Sequence, residues 1–437
     1  MIHFIGIKGT GMAALACILK DLNYEVQGSD LSNHFFTEEP LINRNIPIMN
    51  FDKNNIQDGM TVIIGNAFHD DFPEVEAALA NPRVKASRYH QYLGELMKNY
   101  HSIAVSGSHG KTTTATMLSN MLAASGPCGY LIGDGSGAMP KAAKHFVVEA
   151  CEFRRHFLQY YPDYAIITNA ELDHVDYFKD AADYHLAYEQ FADNVRFKVA
   201  LFGDDPETKA LKIEAGKAVY YGCNRENDIQ AVNLQQFHDH CEFDVLAFKQ
   251  FFGHFSLPIV GEHLLADALA CITIGYLQNI GAEKIQEGLA QFRGAKRRYV
   301  VADYGDNVFI DDYAHHSTEV AMTIKATKMR YPAKRIVAIF KPHRASRLLR
   351  FLPQYIEALK QADYSGVCEF TSIDDFDDGT EASVAVLTKE VPGCRLFREE
   401  PEDVAYLASL APAVFLFMSS KDIYDFAAAV KKALMLK

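Results

Sequence analysis

Short apolar runs rich in β-branched and aromatic residues alternate along the chain with longer stretches of helical composition. Near the start, "IHFIGI" (2–7) gives way to glycines and then to "MAALACILKDL" (12–22). A buried strand followed by a helix is the repeating unit of an α/β sheet. The pattern recurs at "YEVQGSD" (24–30) and "MTVIIGN" (60–66), so we predict a Rossmann-like α/β domain over residues 1–98.

A second unit of the same kind begins at "HSIAVSGSHGKTTT" (101–114), a pattern that indicates a strand, a glycine-rich loop and a helix. Strand-like composition dominates residues 200–257, and "GEHLLADALACITIGYLQNIG" (261–281) has the length and composition of a helix. We therefore predict a central α/β domain of the P-loop ATPase type over residues 99–298.

The third unit alternates most regularly. Its strand patterns are interrupted by helical patterns at residues 317–330 and 347–361. This alternation predicts a doubly wound, Rossmann-like domain over residues 299–437, with ligands beyond the carboxyl ends of the strands. The predicted strands are "NVFIDDY" (307–313), "RIVAIF" (335–340), "GVCEF" (366–370), "CRLF" (394–397) and "AVFLFM" (413–418).

Composition narrows the classes of ligand and partner. A net charge of −13 leaves no basic footprint for nucleic acid or an anionic membrane. The eight cysteines include no CxxC pair, and no apolar stretch reaches the roughly 18 residues of a membrane span. We expect a cytoplasmic protein with small-molecule ligands, no nucleic-acid partner and no membrane anchor. Composition does not determine its oligomeric state.

The first glycine-rich loop, "GIKGTGM" (6–12), lies between a predicted strand and a predicted helix. Gly6, Gly9 and Gly11 would expose backbone amides at a helix N-terminus, where the helix dipole favours a phosphate. Asp30 ends the next predicted strand. The spacing GxxGxG, rather than GxGxxG, disfavours a plain dinucleotide fingerprint but suits a diphosphate. A tight turn without a ligand is the alternative.

The second loop, "GSHGKTT" (107–113), carries the stronger signal. Gly107 and Gly110 would let the backbone wrap a triphosphate, Lys111 would reach its β and γ phosphates, and Thr112 would bind Mg²⁺ through its hydroxyl. The Walker pattern GxxxxGK[ST] would place glycine where this chain has Val105. The loop therefore predicts nucleotide binding in a shortened form of the motif.

This shortened loop resembles that of the Mur ligase superfamily, the ATP-dependent amide ligases of peptidoglycan synthesis. In the last domain, "IDDYAHHSTEV" (310–320) is similar to the family segment DDYxHHPTE, and "FKPHRASRLL" (340–349) is similar to FQPHxxxRT. The similarity is greatest to members that join L-alanine to the lactyl carboxylate of UDP-N-acetylmuramate. It implies an ADP-forming ligase that acts through an acyl phosphate, with ATP and Mg²⁺ as cofactors.

The resemblance also implies a set of site residues. The UDP-sugar would be bound by Gly6, Lys8, Gly9, Thr10, Gly11, Met12 and Asp30. ATP would be bound by Gly107, Ser108, His109, Gly110, Lys111, Thr112, Thr113, His263, Arg298 and Asp312. The implied catalytic residues are Lys111, Glu149, His174 and Arg298, and the implied magnesium ligands are Thr112, Glu149 and His174. The amino acid would be bound by Tyr313, His315, Arg344 and Arg347.

Several positions depart from the family pattern and leave alternatives open. Leu264 and Asp267 replace the family's adenine-contacting Asn-x-x-Asn, and further differences occur at Cys151, Ser317, Lys341 and "MSSKDI" (418–423). A sister ligase with another amino acid or acid substrate, or a non-catalytic nucleotide-sugar-binding paralogue, would fit such changes. Without the resemblance, His174 would more often be a structural histidine and Arg298 a surface cation.

Overall fold

A computed structural model describes residues 1–175, 177–295, 298–371, 373–376 and 379–435 of the protein. Asp176 and the first two residues of the "KRRY" segment (296–299) lie outside this part. Three separate β-sheets, of five, ten and six strands, succeed one another along the chain. The three-part α/β fold expected from the sequence is confirmed.

The first sheet is parallel throughout and has the order β3-β2-β1-β4-β5. Because chain order reverses on the two sides of β1, the crevice at the carboxyl end of β1 is the expected ligand site of such a sheet. The strands are β1 Ile2–Ile5, β2 Val26–Ser29, β3 Ile48–Met49, β4 Thr61–Ile64 and β5 Lys85–Arg88. The helices are α1 Thr10–Asp21, α2 Glu38–Asn43, α3 Pro73–Ala80 and α4 Tyr89–Met97.

The central sheet has the order β15-β14-β13-β12-β11-β10-β6-β9-β7-β8, with β6 inside its parallel part and β13 to β15 as an antiparallel extension. Its strands are β6 His101–Ser106, β7 Cys128–Leu131, β8 Gly137–Ala138, β9 His145–Glu149, β10 Tyr164–Ile167, β11 Lys198–Phe202, β12 Ala218–Gly222, β13 Ile229–Gln236, β14 Cys241–Ala247 and β15 Gln250–Leu257. Its helices are α5 Lys111–Ala123, α6 Ala181–Asp193, α7 Pro206–Lys209, α8 Glu262–Leu277 and α9 Ala282–Leu289.

The third sheet has the order β16-β17-β21-β18-β19-β20, parallel except for the β16–β17 hairpin at one edge. Its strands are β16 Val300–Tyr304, β17 Asn307–Asp312, β18 Ile336–Phe340, β19 Tyr364–Cys368, β20 Arg395–Phe397 and β21 Val414–Met418. Its helices are α10 Ser317–Arg330, α11 Ala345–Arg350, α12 Leu352–Leu359, α13 Ala385–Glu390, α14 Pro401–Ser409 and α15 Tyr424–Met435.

The helix predicted over residues 347–361 is wrong as a single element. It is divided at Phe351 into α11 and α12, and Phe351 has φ −112° and ψ 24°. Pro353, in the first turn of α12, lacks a backbone N–H and its ring would clash with the carbonyl four residues earlier in a continuous helix. The helix predicted over residues 317–330 is confirmed as α10.

The three units are packed against one another. The first domain meets the central one at Gly94 of α4, where an added Cβ would lie 2.2 Å from the carbonyl oxygen of Gln159. The third domain is joined to the central one by buried ion pairs, among them Arg347 with Asp173. In the described part of the chain, none of the helices combines the length and the apolar character needed to span a membrane.

Close packing of α9 on α5 generates a prediction about stability. An added Cβ at Gly288 would lie 2.5 Å from the Cα of Met121 and 2.9 Å from its carbonyl oxygen. Because backbone cannot move aside cheaply, we expect Gly288→Ala to lower the free energy of unfolding of this domain by about 1–3 kcal/mol, although alanine favours helix. Chemical denaturation measures the change. Gly216→Ala, with space around it, is the matched control, and equal stabilities would contradict the packing argument.

Candidate active site

The phosphate-binding loop lies between the end of β6 at Ser106 and the start of α5 at Lys111. Gly107 has φ +136° and Gly110 has φ +80°, conformations that favour glycine. A side chain at Gly107 would also lie 2.0 Å from the hydroxyl of Thr168. The N-terminal amides and the dipole of α5 therefore face this loop, an arrangement that favours a phosphate group.

Lys111 is held in this loop by a buried carboxylate. Its Nζ donates to the carbonyl of Ser108 at 3.3 Å and to Glu152 Oε2 at 3.0 Å. Burial by itself would lower the pKa of Lys111, but the charge of Glu152 outweighs it and raises that pKa. Burial by itself would raise the pKa of Glu152. The effects of Lys111 and His174 are larger and lower that pKa to about 2. Both groups are charged at neutral pH.

The three residues implied as magnesium ligands lie around this pair. Thr112 donates to Glu149 Oε2 at 3.0 Å, and the amide of Gly133 donates to the same oxygen at 2.7 Å. His174 Nε2 lies 3.4 Å from Glu152 Oε1, while its buried Nδ1 has no hydrogen-bond partner among the described residues. A hydroxyl, a carboxylate and an unpartnered imidazole nitrogen are donor types that suit a divalent cation.

A cavity of about 1010 Å³ extends from the phosphate-binding loop to the C-terminal domain. It is large enough for a nucleotide, since ligand sites commonly measure about 300–1,000 Å³. Six of the ten residues implied in ATP binding line it, namely His109, Gly110, Thr113, His263, Arg298 and Asp312. The N-terminus of α5 and the carboxyl end of β17 therefore face one common space.

Arg298 connects the cavity to the third domain. Its guanidinium lies 4.6 Å from the centre of the Tyr313 ring and 3.3 Å from Glu319 Oε1. Asp312 ends β17 and accepts hydrogen bonds from the amides of Tyr299 and Ala314, both at 2.7 Å. These contacts hold the polar groups of Arg298 and Asp312 on the wall of the cavity.

The first glycine-rich loop lies at the carboxyl end of β1 and is a second candidate site. Gly6 has φ +83°, and a side chain there would lie 2.2 Å from the Phe68 ring. Asp30 accepts a hydrogen bond from the amide of Lys8 at 2.7 Å, and Lys8 Nζ lies 2.6 Å from Glu38. Gly9 caps α1, which begins at Thr10, so the loop presents a helix N-terminus at the switch point of the sheet.

Comparison with known proteins decides the family. The model of the Mur ligase family catalytic domain matches residues 1–101, and that of the Mur ligase middle domain matches residues 105–275. The crystal structure of UDP-N-acetylmuramate-alanine ligase MurC from Thermotoga maritima is similar over 100% of this chain and 99% of that one, with 26% identity and a TM-score of 0.81. The chain belongs to the Mur ligase family.

Other Mur ligases share the fold at lower identity. A murein peptide ligase from Psychrobacter arcticus is 22% identical, over 99% of this chain and 98% of that one, with a TM-score of 0.69. The MurF ligase from Thermotoga maritima, solved with ADP, is 16% identical over 88% and 97% of the two chains, with a TM-score of 0.67. Membership makes this Mur ligase an ATP-dependent, ADP-forming amide ligase of peptidoglycan precursor synthesis.

The residues implied in amino-acid binding lie where the third domain of the Mur ligase meets the central one. The rings of Tyr313 and His315 are 5.4 Å apart, and the guanidinium of Arg344 lies 5.9 Å from the ring of Phe153 in the central domain. Arg347 instead donates to Asp173 of the central domain at 2.9 Å. Both arginines therefore reach across the domain junction, Arg344 to an aromatic ring and Arg347 to a carboxylate.

Sequence reasoning did not find several charged residues of the site. Glu152, Asp173 and Glu319 each pair with a residue that the resemblance implied, namely Lys111, Arg347 and Arg298 respectively. Glu152 and Asp173 are close to implied ligands in the chain, and Glu319 ends the "HHSTE" segment, but proximity in sequence does not show which cation each one would meet.

His109, Glu171 and His316 bring one possible ligand atom each to within 4.8 Å of one another. The amide of Thr318 donates to His316 Nδ1 at 3.4 Å, and the buried Nε2 of His316 has no hydrogen-bond partner among the described residues. Burial would lower the pKa of His109, but Glu171 and Glu319 raise it to about 9. We interpret this group as an electrostatic contact between domains.

Asp267 generates a prediction about pH. Burial raises its pKa to about 7, against the opposing effects of the Thr114 hydroxyl and Arg298. For a carboxyl group whose folded pKa is raised, the stabilising contribution is present below the unfolded pKa and is lost as pH rises through the folded pKa. We expect Asp267→Asn to exceed the wild type in stability by a margin that grows between about pH 4 and 7, to roughly 2–4 kcal/mol.

Denaturant unfolding at pH 5, 6, 7 and 8 measures this margin. Asparagine keeps an oxygen that can accept the hydrogen bond from Thr114, which is 2.9 Å in the wild type. Asp71→Asn, at an exposed position, is the matched control and should give a constant difference. Parallel pH profiles for Asp267→Asn and the wild type would show that Asp267 does not titrate in this range.

Proposed function

We propose that the protein joins L-alanine to the lactyl carboxylate of UDP-N-acetylmuramate, forming ADP and phosphate. The observation that carries this proposal is the cavity in which residues of the phosphate-binding loop face Arg298 and Asp312. Similarity over the full chain to UDP-N-acetylmuramate-alanine ligase supports the choice of substrates. The separate glycine loop at Gly6 provides a second helix N-terminus, suited to the diphosphate of the UDP-sugar.

In the proposed reaction the lactyl carboxylate attacks the γ-phosphorus of ATP, giving an acyl phosphate and releasing ADP. The amine of L-alanine then attacks the acyl carbon, an amide bond forms and phosphate leaves. Lys111 and Arg298 would neutralise charge on the transferred phosphoryl group, and the amides at the start of α5 would hold the phosphates. Mg²⁺, held by Thr112, Glu149 and His174, would supply further charge neutralisation.

Two departures from the family pattern, Lys341 and the segment 418–423, are in contact with each other, and we do not take them as support for another substrate. Lys341 is only 3% exposed, and its Nζ donates to Glu399 Oε1 at 2.7 Å and to the carbonyl of Asp422 at 2.7 Å. Ser419 donates to the carbonyl of Lys341 at 3.0 Å. These groups form a buried network inside the third domain, which gives Lys341 a structural role.

A sister ligase is the second candidate, because murein peptide ligases share the fold. An assay of phosphate release from ATP distinguishes the two ligases. It contains Mg²⁺, UDP-N-acetylmuramate and either one of a panel of amino acids or a peptide, and each component is omitted in turn. We expect release that requires both the UDP-sugar acid and L-alanine. Release with another acceptor would indicate the sister ligase, and binding of the UDP-sugar without turnover would indicate a non-catalytic protein.

Lys111→Ala tests the phosphate-binding loop directly. We expect it to abolish ADP formation, because Lys111 is the cation placed at the N-terminus of α5, directly after the phosphate-binding loop. Lys284→Ala, at an exposed position on α9, is the control and should keep wild-type turnover. ADP formation by the Lys111→Ala protein would overturn the assignment of the loop.

A further inference from the structure

Arg154 is an exposed cation of the central domain, two residues after the buried carboxylate of Glu152. Its guanidinium lies 5.3 Å from the centre of the Phe153 ring and makes no ion pair or hydrogen bond with any described residue. The neighbouring Arg155 differs in this respect, because its Nη2 lies 2.5 Å from Asp183 Oδ1. Of the two arginines, Arg154 is therefore the one whose charge is available to an anionic ligand.

The backbone at these two arginines is left-handed. Arg154 has φ +51° and Arg155 has φ +58°, values that are uncommon for residues other than glycine. The turn separates the two guanidinium groups, since that of Arg155 lies 5.3 Å from the centre of the Phe178 ring and that of Arg154 remains beside Phe153. Backbone in such sparsely populated conformations concentrates at ligand sites, where the surrounding structure holds it in place.

The Phe153 ring is the point at which several parts of the candidate site approach one another. The ring of His174, an implied magnesium ligand, lies 4.8 Å from it, and the guanidinium of Arg344, implied in amino-acid binding, lies 5.9 Å from it. Arg154 is a further group on the same ring. In the proposed reaction the lactyl carboxyl group must meet first the γ-phosphate beside the metal and then the amine. A carboxylate bound by Arg154 would be close to both.

Arg154 also adjoins the first domain, which carries the glycine loop at Gly6. His156 stacks on His90 of α4, with ring centres 4.3 Å apart and an angle of 12° between the rings. Asn66, which follows β4, is hydrogen-bonded to His156 at 3.3 Å and to His90 at 3.2 Å. Burial lowers the pKa of His156 to about 4, and the charges of His90 and Arg154 add to this effect, so His156 is neutral at pH 7. Because β4 is adjacent to β1, a sugar nucleotide extending from the Gly6 loop towards the metal site would pass this contact, and Arg154 would be the cation that it meets.

We propose that Arg154 binds the lactyl carboxylate of the sugar nucleotide and so selects the acid from sugar nucleotides that lack it. This proposal rests on the proposed function and deepens it, because it names a residue that recognises the group to be activated. A guanidinium holds a carboxylate through two parallel hydrogen bonds, and its charge favours the ionised form, which is the nucleophile. The contact with Phe153 restricts the positions that the guanidinium can take.

Binding without turnover tests this assignment. UDP-N-acetylglucosamine has the same nucleotide, diphosphate and sugar as UDP-N-acetylmuramate but lacks the lactyl group that carries the carboxylate. For Arg154→Gln we expect calorimetric titration to show binding of UDP-N-acetylmuramate weakened about tenfold or more, and binding of UDP-N-acetylglucosamine changed less than about twofold. Arg154→Lys should lose less, because it keeps the charge but not the paired hydrogen bonds. In turnover, Arg154→Gln should raise KM for UDP-N-acetylmuramate about tenfold and leave KM for ATP unchanged.

Arg225→Gln, at an exposed position of the central domain, is the matched control and should bind both sugar nucleotides as the wild type does. Should Arg154→Gln fail to fold, Arg154→Gly gives the same test, because glycine adopts a φ of +51° without strain. Equal losses for the two sugar nucleotides would place Arg154 on the diphosphate and overturn the proposal, as would unchanged binding of both. A wild-type protein that prefers UDP-N-acetylmuramate through Arg154 but releases no phosphate with any amino acid or peptide would overturn the proposed function alone.

Discussion

The buried ion pair of Lys111 and Glu152 is the constraint on which the rest of the site depends. Glu152 has no exposed surface, so its charge requires a cation, and Lys111 at the start of α5 provides one at 3.0 Å. Tyr184 donates to Glu152 Oε1 at 3.3 Å and His174 lies at 3.4 Å from the same oxygen. Satisfying this one carboxylate therefore brings together the phosphate-binding loop, helix α6 and the loop that carries His174.

The third domain meets the central one through charges that belong to the same loops. Arg347 pairs with Asp173, the Thr318 hydroxyl donates to Glu171 at 2.8 Å, and Glu319 lies 3.5 Å from His109 in the phosphate-binding loop. The side chains of the last two contacts line the cavity. Docking of the third domain and the arrangement of the phosphate-binding loop are thus linked through shared hydrogen bonds.

Two residues that depart from the family pattern, Lys341 and Asp267, are buried polar groups, and the fold accommodates them in different ways. Lys341 is buried, but Glu399 and a backbone carbonyl satisfy its ammonium group. Asp267 is also buried, and it meets a hydroxyl from Thr114 with no cation at ion-pair distance among the described residues. The first change is compensated by an opposite charge, whereas the second shifts a pKa, since a buried carboxyl without a paired cation favours its neutral form.

The sequence by itself determined the strand and helix pattern, the two glycine loops and the placement of Lys111 and Thr112 at a helix start. These features depend on local periodicity and on the backbone freedom of glycine, and the structure confirms them. Glu149 was implied by the family resemblance. It lies near the phosphate-binding loop because β9 is adjacent to β6 and the carboxyl ends of parallel strands meet at one edge. The break at Phe351 was also encoded locally, in Pro353, but the apolar pattern across it concealed the break.

Only the tertiary structure decided which charges meet. Arg347 and Asp173 are 174 residues apart, and Lys111 and Glu152 are 41 apart, so no local pattern pairs them. Sequence similarity implied that Arg347 belongs to the amino-acid site, and the structure adds that its guanidinium donates to Asp173 at 2.9 Å. Whether a charged side chain faces solvent, substrate or a buried partner depends on distances and desolvation that arise when separate domains pack, and these are properties of the assembled fold rather than of any segment.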